Sequence, residues 1–349
     1  MSSSFFLSRR RFASHLALAG SVLAVPAWAA PQKVEKPKLN LAVDGKSALA
    51  YLPLTIAEQL GFFRSEGLDV QINDFADATS AAQALFGGAA DVCSGPFERT
   101  LHLQSKNQMV KAFVLQGRTP QVAFGVSTRS LPAYAAIGDL RGRRIGVTAL
   151  DSVASVMTHL LLQRGGLNIS DVTLVPLGAS ASALTALRTG QVDALGNTDP
   201  VMTMLEQKGE VKIIQDARTL KGTSDLFGGA MPSACLYASH EFIQKYPNTC
   251  QALASAIVHS LKWLQTAGPG DIIKVVPESY LLGDRALYLA SFNKIRESIS
   301  PDGLVPDDGP GTALRALAQF DGAIRLTAID VARTYTNEFA RRAKDRFRA

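Results

Sequence analysis

The chain has 349 residues, of which 47% are hydrophobic and 19% are charged, and its formal net charge is +6. At about 150 residues per domain this length favours two domains, and the apolar content excludes a disordered chain. No run of 18 apolar residues is present, so an ordinary membrane span is excluded. Residues 1–29 hold three arginines and no acidic residue. Removing them lowers the charge to +3, which is too mild for a nucleic-acid surface.

The first 29 residues have the order of a secretory signal peptide. Arg9, Arg10 and Arg11 precede a short apolar run at 16–25, and Ala27-Trp28-Ala29 forms a small-x-small cleavage pattern. The Ser-Arg-Arg-x-Phe order at 8–12 resembles a twin-arginine signal, and an arginine-rich general secretory signal is the alternative. Both predict an exported periplasmic chain without a lipid anchor, cleaved near Ala29.

Strands and helices alternate along the chain after residue 38. In chain order, the predicted elements are a strand at 39–43, a helix at 54–63, a strand at 67–72, a helix at 79–86 and a strand at 90–93. Apolar residues at helical spacing mark the helices, and glycines mark their ends. This alternation predicts parallel strands joined by crossover helices.

The same order of elements recurs further along the chain. The second set is a strand at 144–147, a helix at 153–163, a strand at 172–175, a helix at 182–188 and a strand at 192–195. Leu85 and Asp91 fall on Leu187 and Asp193 at one constant shift of 102 residues. The repeat predicts two α/β lobes of one plan, with a ligand cleft at the carboxyl ends of their strands.

The C-terminal third leaves the repeat and is mostly helical. Two glycines and an apolar run at 228–238 predict a return crossing into the first lobe. We therefore expect lobe one to hold residues 38–125 and 230–349, and lobe two to hold 126–229. A helix that begins near Pro247 is expected to bury an amphipathic stripe. That stripe consists of Leu253, Ile257, Leu261 and Leu264, with Trp263 packing beside it.

The three cysteines form an odd set for an oxidising compartment. Cys93 and Cys235 lie in apolar runs with strand character, so we expect buried structural thiols. One disulfide among Cys93, Cys235 and Cys250 is the alternative. A catalytic thiol is disfavoured because no histidine lies in a loop suited to pair with one. No zinc spacing is present, so neither a metal nor a cofactor is expected.

Two nearby segments carry a family resemblance. Residues 51–63 read Tyr-Leu-Pro-Leu-Thr-Ile-Ala-Glu-Gln-Leu-Gly-Phe-Phe, and residues 66–70 read Glu-Gly-Leu-Asp-Val. This pair resembles the opening of the substrate-binding proteins of ABC importers for aliphatic sulfonates, nitrate and taurine, with thiamine-pyrimidine binders as relatives. Further matches at 84–91, 139–147 and 186–194 extend the resemblance over residues 39–240.

The resemblance implies a type II periplasmic-binding-protein fold. Each of two α/β lobes would hold a parallel-rich sheet flanked by helices, with the ligand cleft between the lobes. The implied role is not enzymatic and uses no cofactor. The protein would capture a small sulfonate or amine-bearing organic molecule, close by hinge motion and deliver it to an inner-membrane ABC permease with its ATPase. A monomer that binds no nucleic acid is expected.

The family's ligand loops place the site at the strand ends of both lobes. The predicted ligand-binding residues are Lys46, Ser47, Tyr51, Thr79, Ser80, Ser94, Gly95, Phe97, Glu98, Thr148, Asp151, Ser152, Ser180, Asn197 and Asp199. Ser80, Ser152 and Ser180 lie near helix N-termini, where a serine binds an anionic group or simply caps the helix. Tyr51 and Phe97 would line an apolar wall, or belong to the core.

Asp151 departs from the family pattern. Many relatives carry a Gly-Ser pair in the loop that here reads Thr-Ala-Leu-Asp-Ser at 148–152. Glu98 and Asp199 add two more carboxylates to the predicted edges. The candidates to balance them are Lys46, Arg99 and Arg118. This charge disfavours a bare inorganic anion and favours a zwitterion or an amine-bearing heterocycle. The alternative is that Asp151 turns outward as a helix cap.

Two other functions share this fold class. A pyrimidine-precursor-synthase-like enzyme would need a lysine for pyridoxal phosphate and a sacrificial histidine. The candidate histidines, His102, His159, His240 and His259, are single, and no lysine carries a cofactor motif. A ligand sensor would need an output domain or a membrane span, and the sequence predicts neither. A change of intrinsic fluorescence with a small molecule, in a colourless and inactive protein, would favour the binding protein.

Overall fold

The computed structural model describes residues 33–179, 181–281, 283–322 and 324–349. The predicted signal peptide at 1–29 therefore lies outside the described residues. The described part of the chain forms ten strands in two sheets. In chain order the strands are β1 (Lys38–Asp44), β2 (Asp69–Phe75), β3 (Val92–Pro96), β4 (Val110–Leu115), β5 (Val122–Ser127), β6 (Arg144–Val147), β7 (Thr173–Pro176), β8 (Ala194–Thr198), β9 (Val211–Asp216) and β10 (Ala234–Ser239).

Helices connect and flank these strands. Within the described ranges they are α1 (Leu52–Gln59), α2 (Phe62–Ser65), α3 (Ala78–Phe86), α4 (Glu98–Ser105), α5 (Val153–Arg164), α6 (Ala181–Arg188), α7 (Val201–Gln207), α8 (Leu220–Phe227), α9 (His240–Lys245), α10 (Pro247–Thr266), α11 (Pro269–Val275), α12 (Arg285–Ile295), α13 (Gly309–Phe320) and α14 (Glu338–Phe347). No helix in this part of the chain has the length and hydropathy that crossing a bilayer requires.

The two sheets share one topology. The strand order is β2-β1-β3-β10-β4 in the first sheet and β7-β6-β8-β5-β9 in the second. The first three strands of each sheet pair in parallel. The fourth strand, β10 or β5, pairs antiparallel with both of its neighbours. Each sheet is therefore mixed, because a strand that arrives from the other half of the chain runs against its neighbours.

The chain passes between the sheets twice. It leaves the first sheet after β4, enters the second at β5, and returns from β9 through α8 to β10. The return occurs where the apolar run at 234–238 predicts it. The predicted boundary at 125/126 falls inside β5, whose partners β8 and β9 both belong to the second sheet. The division into lobes at 38–125 with 230–349 and at 126–229 stays a prediction.

The repeat is visible as a pair of equivalent contacts. The Asp91 carboxylate accepts a hydrogen bond from the Asn40 backbone N–H at 3.0 Å, at the start of β1. The Asp193 carboxylate accepts one from the Arg144 backbone N–H at 3.0 Å, at the start of β6. Each aspartate thus joins the beginnings of two adjacent parallel strands, so the two repeated aspartates have the same structural role.

Two local differences separate the structure from the sequence prediction. The helix predicted at 54–63 is divided into α1 and α2, because Gly61 has a φ of 72° that ends the first segment. The strands predicted to end at Cys93 and Leu195 instead continue to Pro96 and Thr198. Residues predicted to lie in ligand loops, including Ser94, therefore belong to strands.

Helix α10 forms the centre of the helical C-terminal region. It begins at Pro247, and the four predicted stripe residues are all at most 2% exposed. Trp263 packs partly buried against the same core, as expected. Cys93, Cys235 and Cys250 are free and buried, which excludes the disulfide alternative. Burial raises the pKa of Cys93 and of Cys250 to about 12, so these thiols stay protonated and unreactive.

Candidate ligand cleft

A cavity of about 150 Å³ lies between the carboxyl ends of the strands of the two sheets. From the first sheet and its loops it is lined by Asp44, Gly45, Ala48, Ala50, Tyr51, Ala76, Asp77, Ala78, Pro96, Glu98, Arg99 and Ser233. From the crossing segment and the second sheet it is lined by Pro120, Val122, Thr148, Ala149, Asp151, Ser152, Val153, Gly178, Ala179 and Thr198. Because both sheets contribute, a molecule in this cavity would contact both halves of the fold.

The positions of the lining residues follow from the parallel pairing of the first three strands of each sheet. Asp44 ends β1 and Pro96 ends β3, while Thr148 directly follows β6. Carboxyl ends of parallel strands meet at one sheet edge, and the helices that follow present their N-termini there. α3 and α5 begin at this edge with Ala78 and Val153. The cavity therefore lies where two such edges face each other.

Asp151 links the two halves across the cavity. Its carboxylate accepts a hydrogen bond from the Thr79 hydroxyl at 2.8 Å and pairs with the Arg99 guanidinium at 3.0 Å. Burial acts to raise the pKa of Asp151, but the charge of Arg99 and these hydrogen bonds outweigh it, so the pKa is lowered. Asp151 is thus a charged bridge between a loop of the second sheet and two helices beside the first.

Two further carboxyls lie at the first-sheet side of the cavity. Asp44 accepts a hydrogen bond from the Tyr51 hydroxyl at 2.5 Å, and Glu98, the first residue of α4, is 7% exposed. Burial raises the pKa of Asp44 and of Glu98 to about 7. Removing a charged carboxylate from water costs free energy, so burial favours the protonated form of both groups.

Five of the predicted ligand-binding residues line the cavity. They are Tyr51, Glu98, Thr148, Asp151 and Ser152. Thr79 does not line the cavity, but its hydroxyl donates a hydrogen bond to the Asp151 carboxylate, which does. The contact of any of these residues with a ligand stays a prediction. Of the three cations considered as balancing charges, Arg99 alone lines the cavity. Lys46 pairs with Glu58 at 2.7 Å, and the Arg118 guanidinium donates to the Glu297 carbonyl.

Two of the predicted serines, Ser47 and Ser80, are outside the lining. Ser47 is exposed, and Ser80 has a half-buried side chain on α3. Asp77, rather than Ser80, caps α3, since its carboxylate accepts from the Ser80 backbone N–H at 2.7 Å. Ser180 is outside the described residues.

The structure corrects the predicted loop at 94–98. Ser94 and Gly95 belong to β3, and the Ser94 hydroxyl accepts from the Gln116 side chain at 2.8 Å in the core. Phe97 is fully buried against Tyr335, which selects the core alternative for this ring. Only Pro96 and Glu98 of this segment reach the cavity.

The structure also corrects the predicted loop at 197–199. Asn197 is buried, and its side-chain amide donates to the Gly178 carbonyl at 2.9 Å. Asp199 is buried and forms an ion pair with Arg218 at 3.3 Å. Neither lines the cavity, while Thr198 between them does. Asp199 therefore adds no free charge to the site.

Sequence reasoning missed several lining residues. Asp77 followed by Ala-Thr-Ser has the form of an N-cap, which identifies a helix start without indicating a cavity. Pro120, Val122 and Ser233 lie next to the two crossings between the sheets, and no local pattern marks them. Their position depends on how the crossings pack, which only the assembled fold provides.

A second, larger depression lies elsewhere on the surface. It encloses about 410 Å³ between the flanks of α5, α8 and α13, and its lining includes Arg164, Phe227 and Arg315. No strand end reaches it. Its lining comes from helix flanks alone, so the cavity between the sheets is the better candidate site despite its smaller volume.

The two sheets, the two crossings between them and the cleft give this chain the fold of the periplasmic binding proteins. Residues 49–267 match the model of the "NMT1/THI5 like" family, and the chain belongs to that family.

Three comparisons with known proteins agree with this assignment. A solved protein from Bordetella bronchiseptica RB50 is 52% identical, with a TM-score of 0.87, over 91% of this chain and 100% of its own. The alkanesulfonate-binding protein SsuA from Xanthomonas axonopodis pv. citri, bound to MOPS, is 19% identical with a TM-score of 0.66, over 87% and 100%. A curated binding protein from Brucella abortus (strain 2308) is 22% identical over 66% of this chain and 68% of its own.

The comparisons confirm the predicted family and fold class. The homologues and structural neighbours are ligand-binding proteins of the ABC-importer type, as the resemblance implies. The Xanthomonas and Brucella proteins are named as binding proteins, which is consistent with the predicted non-enzymatic role.

Proposed function

We propose that this protein is the periplasmic solute-binding component of an ABC importer. It captures a small organic molecule, sulfonate or amine-bearing, between its two sheets and delivers it to an inner-membrane permease with its ATPase. The observation that carries the proposal is the cavity lined by loops of both sheets. A ligand there would bridge the two halves and favour their closed arrangement, which a permease can distinguish from the open one.

A thermal-shift screen of the mature protein tests the binding role. The compounds are sulfonates, taurine, nitrate, pyrimidines and aromatic acids. A ligand at 100 times its Kd adds about 2.7 kcal/mol to the free energy of unfolding. If neither the screen nor titration calorimetry finds a small molecule that binds, the proposal is contradicted.

A cavity-filling variant ties the binding to this site. Ala179→Trp places an indole in the lining, whereas Ala135→Trp places one at an exposed position away from it. We expect Ala179→Trp to abolish the ligand-induced shift and Ala135→Trp to retain it. Equal binding by both variants would move the site elsewhere.

Export belongs to the same proposal. We propose that residues 1–29 direct the chain to the periplasm by the twin-arginine route and are removed there. Mass spectrometry of the periplasmic fraction should give a mature chain that begins near Ala30. Replacing Arg9 and Arg10 together by Lys should abolish export by this route, and unchanged export would favour the general secretory alternative.

The proposed importer component acts as a monomer, without a catalytic residue or a cofactor. We expect light scattering to give the molar mass of a single chain, with and without ligand. Turnover of any bound pyrimidine would favour the enzyme alternative instead.

A further inference from the structure

Four carboxylates and one guanidinium line the cavity among the described residues. The carboxylates belong to Asp44, Asp77, Glu98 and Asp151, and the guanidinium belongs to Arg99. This balance is unlike that of a site built for a bare anion. Two of the four carboxylates already have strong partners. Asp77 caps α3, and Asp151 pairs with Arg99 and Thr79.

Glu98 and Asp44 remain. No described side chain donates a hydrogen bond or forms an ion pair with the Glu98 carboxylate, although the residue is 7% exposed and lines the cavity. Asp44 receives the Tyr51 hydroxyl and has no cationic partner within the described residues. A buried carboxylate without a partner is costly to leave unsatisfied, and a charged N–H donor is the strongest complement.

A second polar group points the same way. The Thr198 hydroxyl belongs to a lining residue, is itself inaccessible to water, and has no hydrogen-bond partner within the described part of the chain. Arg99, the cation of the lining, pairs with Asp151 through Nη2 at 3.0 Å, so its charge is already offset by a carboxylate of the same cavity. The unpaired polar groups of the described lining are therefore a carboxyl, which accepts, and a hydroxyl, which can accept or donate, and neither is a cation.

We propose that Glu98 and Asp44 bind a positively charged nitrogen group of the ligand, an ammonium or an amidinium that donates several N–H bonds. This inference rests on the proposed function and names the ligand chemistry of the same cavity. A protonated nitrogen between the two carboxylates supplies the missing donors and offsets their charge. The small cavity volume favours a compact cation or a compact cationic end of a longer molecule.

The test uses probes of opposite charge and similar size on the mature protein. Methylammonium, guanidinium and benzamidinium are the cations, and benzenesulfonate is the anion. Each is titrated at pH 8 and at constant ionic strength, with the melting temperature and calorimetric Kd as readouts. The variants are Glu98→Gln and, as a matched control, Glu241→Gln, which changes an exposed glutamate on α9 outside the lining.

We expect at least one cation to stabilise the wild-type protein and benzenesulfonate not to. Glu98→Gln should weaken binding of that cation at least ten-fold, and Glu241→Gln should leave it within two-fold. The inference is overturned if no cation binds below 50 mM, if Glu98→Gln binds it as tightly as the wild type, or if benzenesulfonate binds more tightly than every cation. Benzenesulfonate binding that Ala179→Trp abolishes would refute the charge assignment while leaving the proposed binding function intact.

Discussion

Replacing Arg218 by Met should remove the charge that holds the ends of β8 and β9 together. The Arg218 side chain is 1% exposed and pairs with Asp199, Glu206 and Asp216 at 3.3, 3.1 and 2.7 Å. Burial alone would lower the pKa of Arg218, but the hydrogen bonds and ion pairs with Asp216 and Asp199 outweigh it and raise it. The guanidinium therefore stays charged at every practical pH.

The loss in free energy of unfolding comes mainly from the Asp199 carboxylate, which the substitution leaves buried without a cation. The Asp199 side chain is 0% exposed and would keep its hydrogen bonds with Thr203, including the one from the backbone N–H at 2.8 Å, but would have no cationic partner among the described residues. Asp216 and Glu206 are each one-third exposed, so water can solvate them. Leaving one buried charge uncompensated costs about 3–5 kcal/mol, which corresponds to roughly 4–7 °C in melting temperature for a protein of this size.

Urea unfolding followed by circular dichroism measures this cost by linear extrapolation. The matched control is Arg285→Met, because Arg285 is 63% exposed and its pair with Glu278 lies in solvent. A surface pair of this kind contributes less than about 1 kcal/mol.

A double variant separates the lost charge from lost packing. Asp199→Asn combined with Arg218→Met removes both partners, so it should be more stable than the sum of the single losses by at least about 1 kcal/mol. Strictly additive losses, or a loss for Arg218→Met no greater than for the control, would refute the reasoning.

Three other outcomes follow from the cavity and its surroundings. Asp151→Asn breaks the ion pair with Arg99 across the two sheets, so the ligand-free protein should populate a more open form with a larger radius of gyration in X-ray scattering; an unchanged radius would contradict the bridge. Burial raises the folded-state pKa of Glu98 to about 7, above an unfolded value near 4.3, so the folded carboxyl holds its proton over this interval while the unfolded one does not. The free energy of unfolding of the wild type minus that of Glu98→Gln should therefore rise as the pH falls from 8 to 5, and a difference that does not change with pH would count against the burial of this carboxyl. A Cβ at Gly222 would lie 1.9 Å from the Asp216 carbonyl oxygen, so Gly222→Ala should cost at least about 2 kcal/mol in urea unfolding, and a neutral result would refute this close approach.

The order of the elements and the duplicated plan were predictable from the amino-acid sequence alone. Both depend on local periodicity and on turn residues, such as the glycines and the paired Asp91 and Asp193, whose contacts are made within each half. The buried stripe of α10 and the buried thiols were predictable for the same reason, since an apolar run needs only a core to pack against. The cavity-lining loops after β1, β6 and β7 were also predictable, because parallel strands present their carboxyl ends on one edge.

Which polar side chains of the cleft have partners depends on how the chain packs in three dimensions. Asp151 meets Arg99 across 52 positions of sequence, and Asp199 turns from the cleft toward Arg218. In the sequence, Glu98 cannot be distinguished from other glutamates at helix starts, and its burial follows only from the fold. The distribution of charge in the cleft depends on which segments pack against each other. The Coulomb energy of a charged pair is set by the separation and burial of the two groups, and a sequence pattern contains neither quantity.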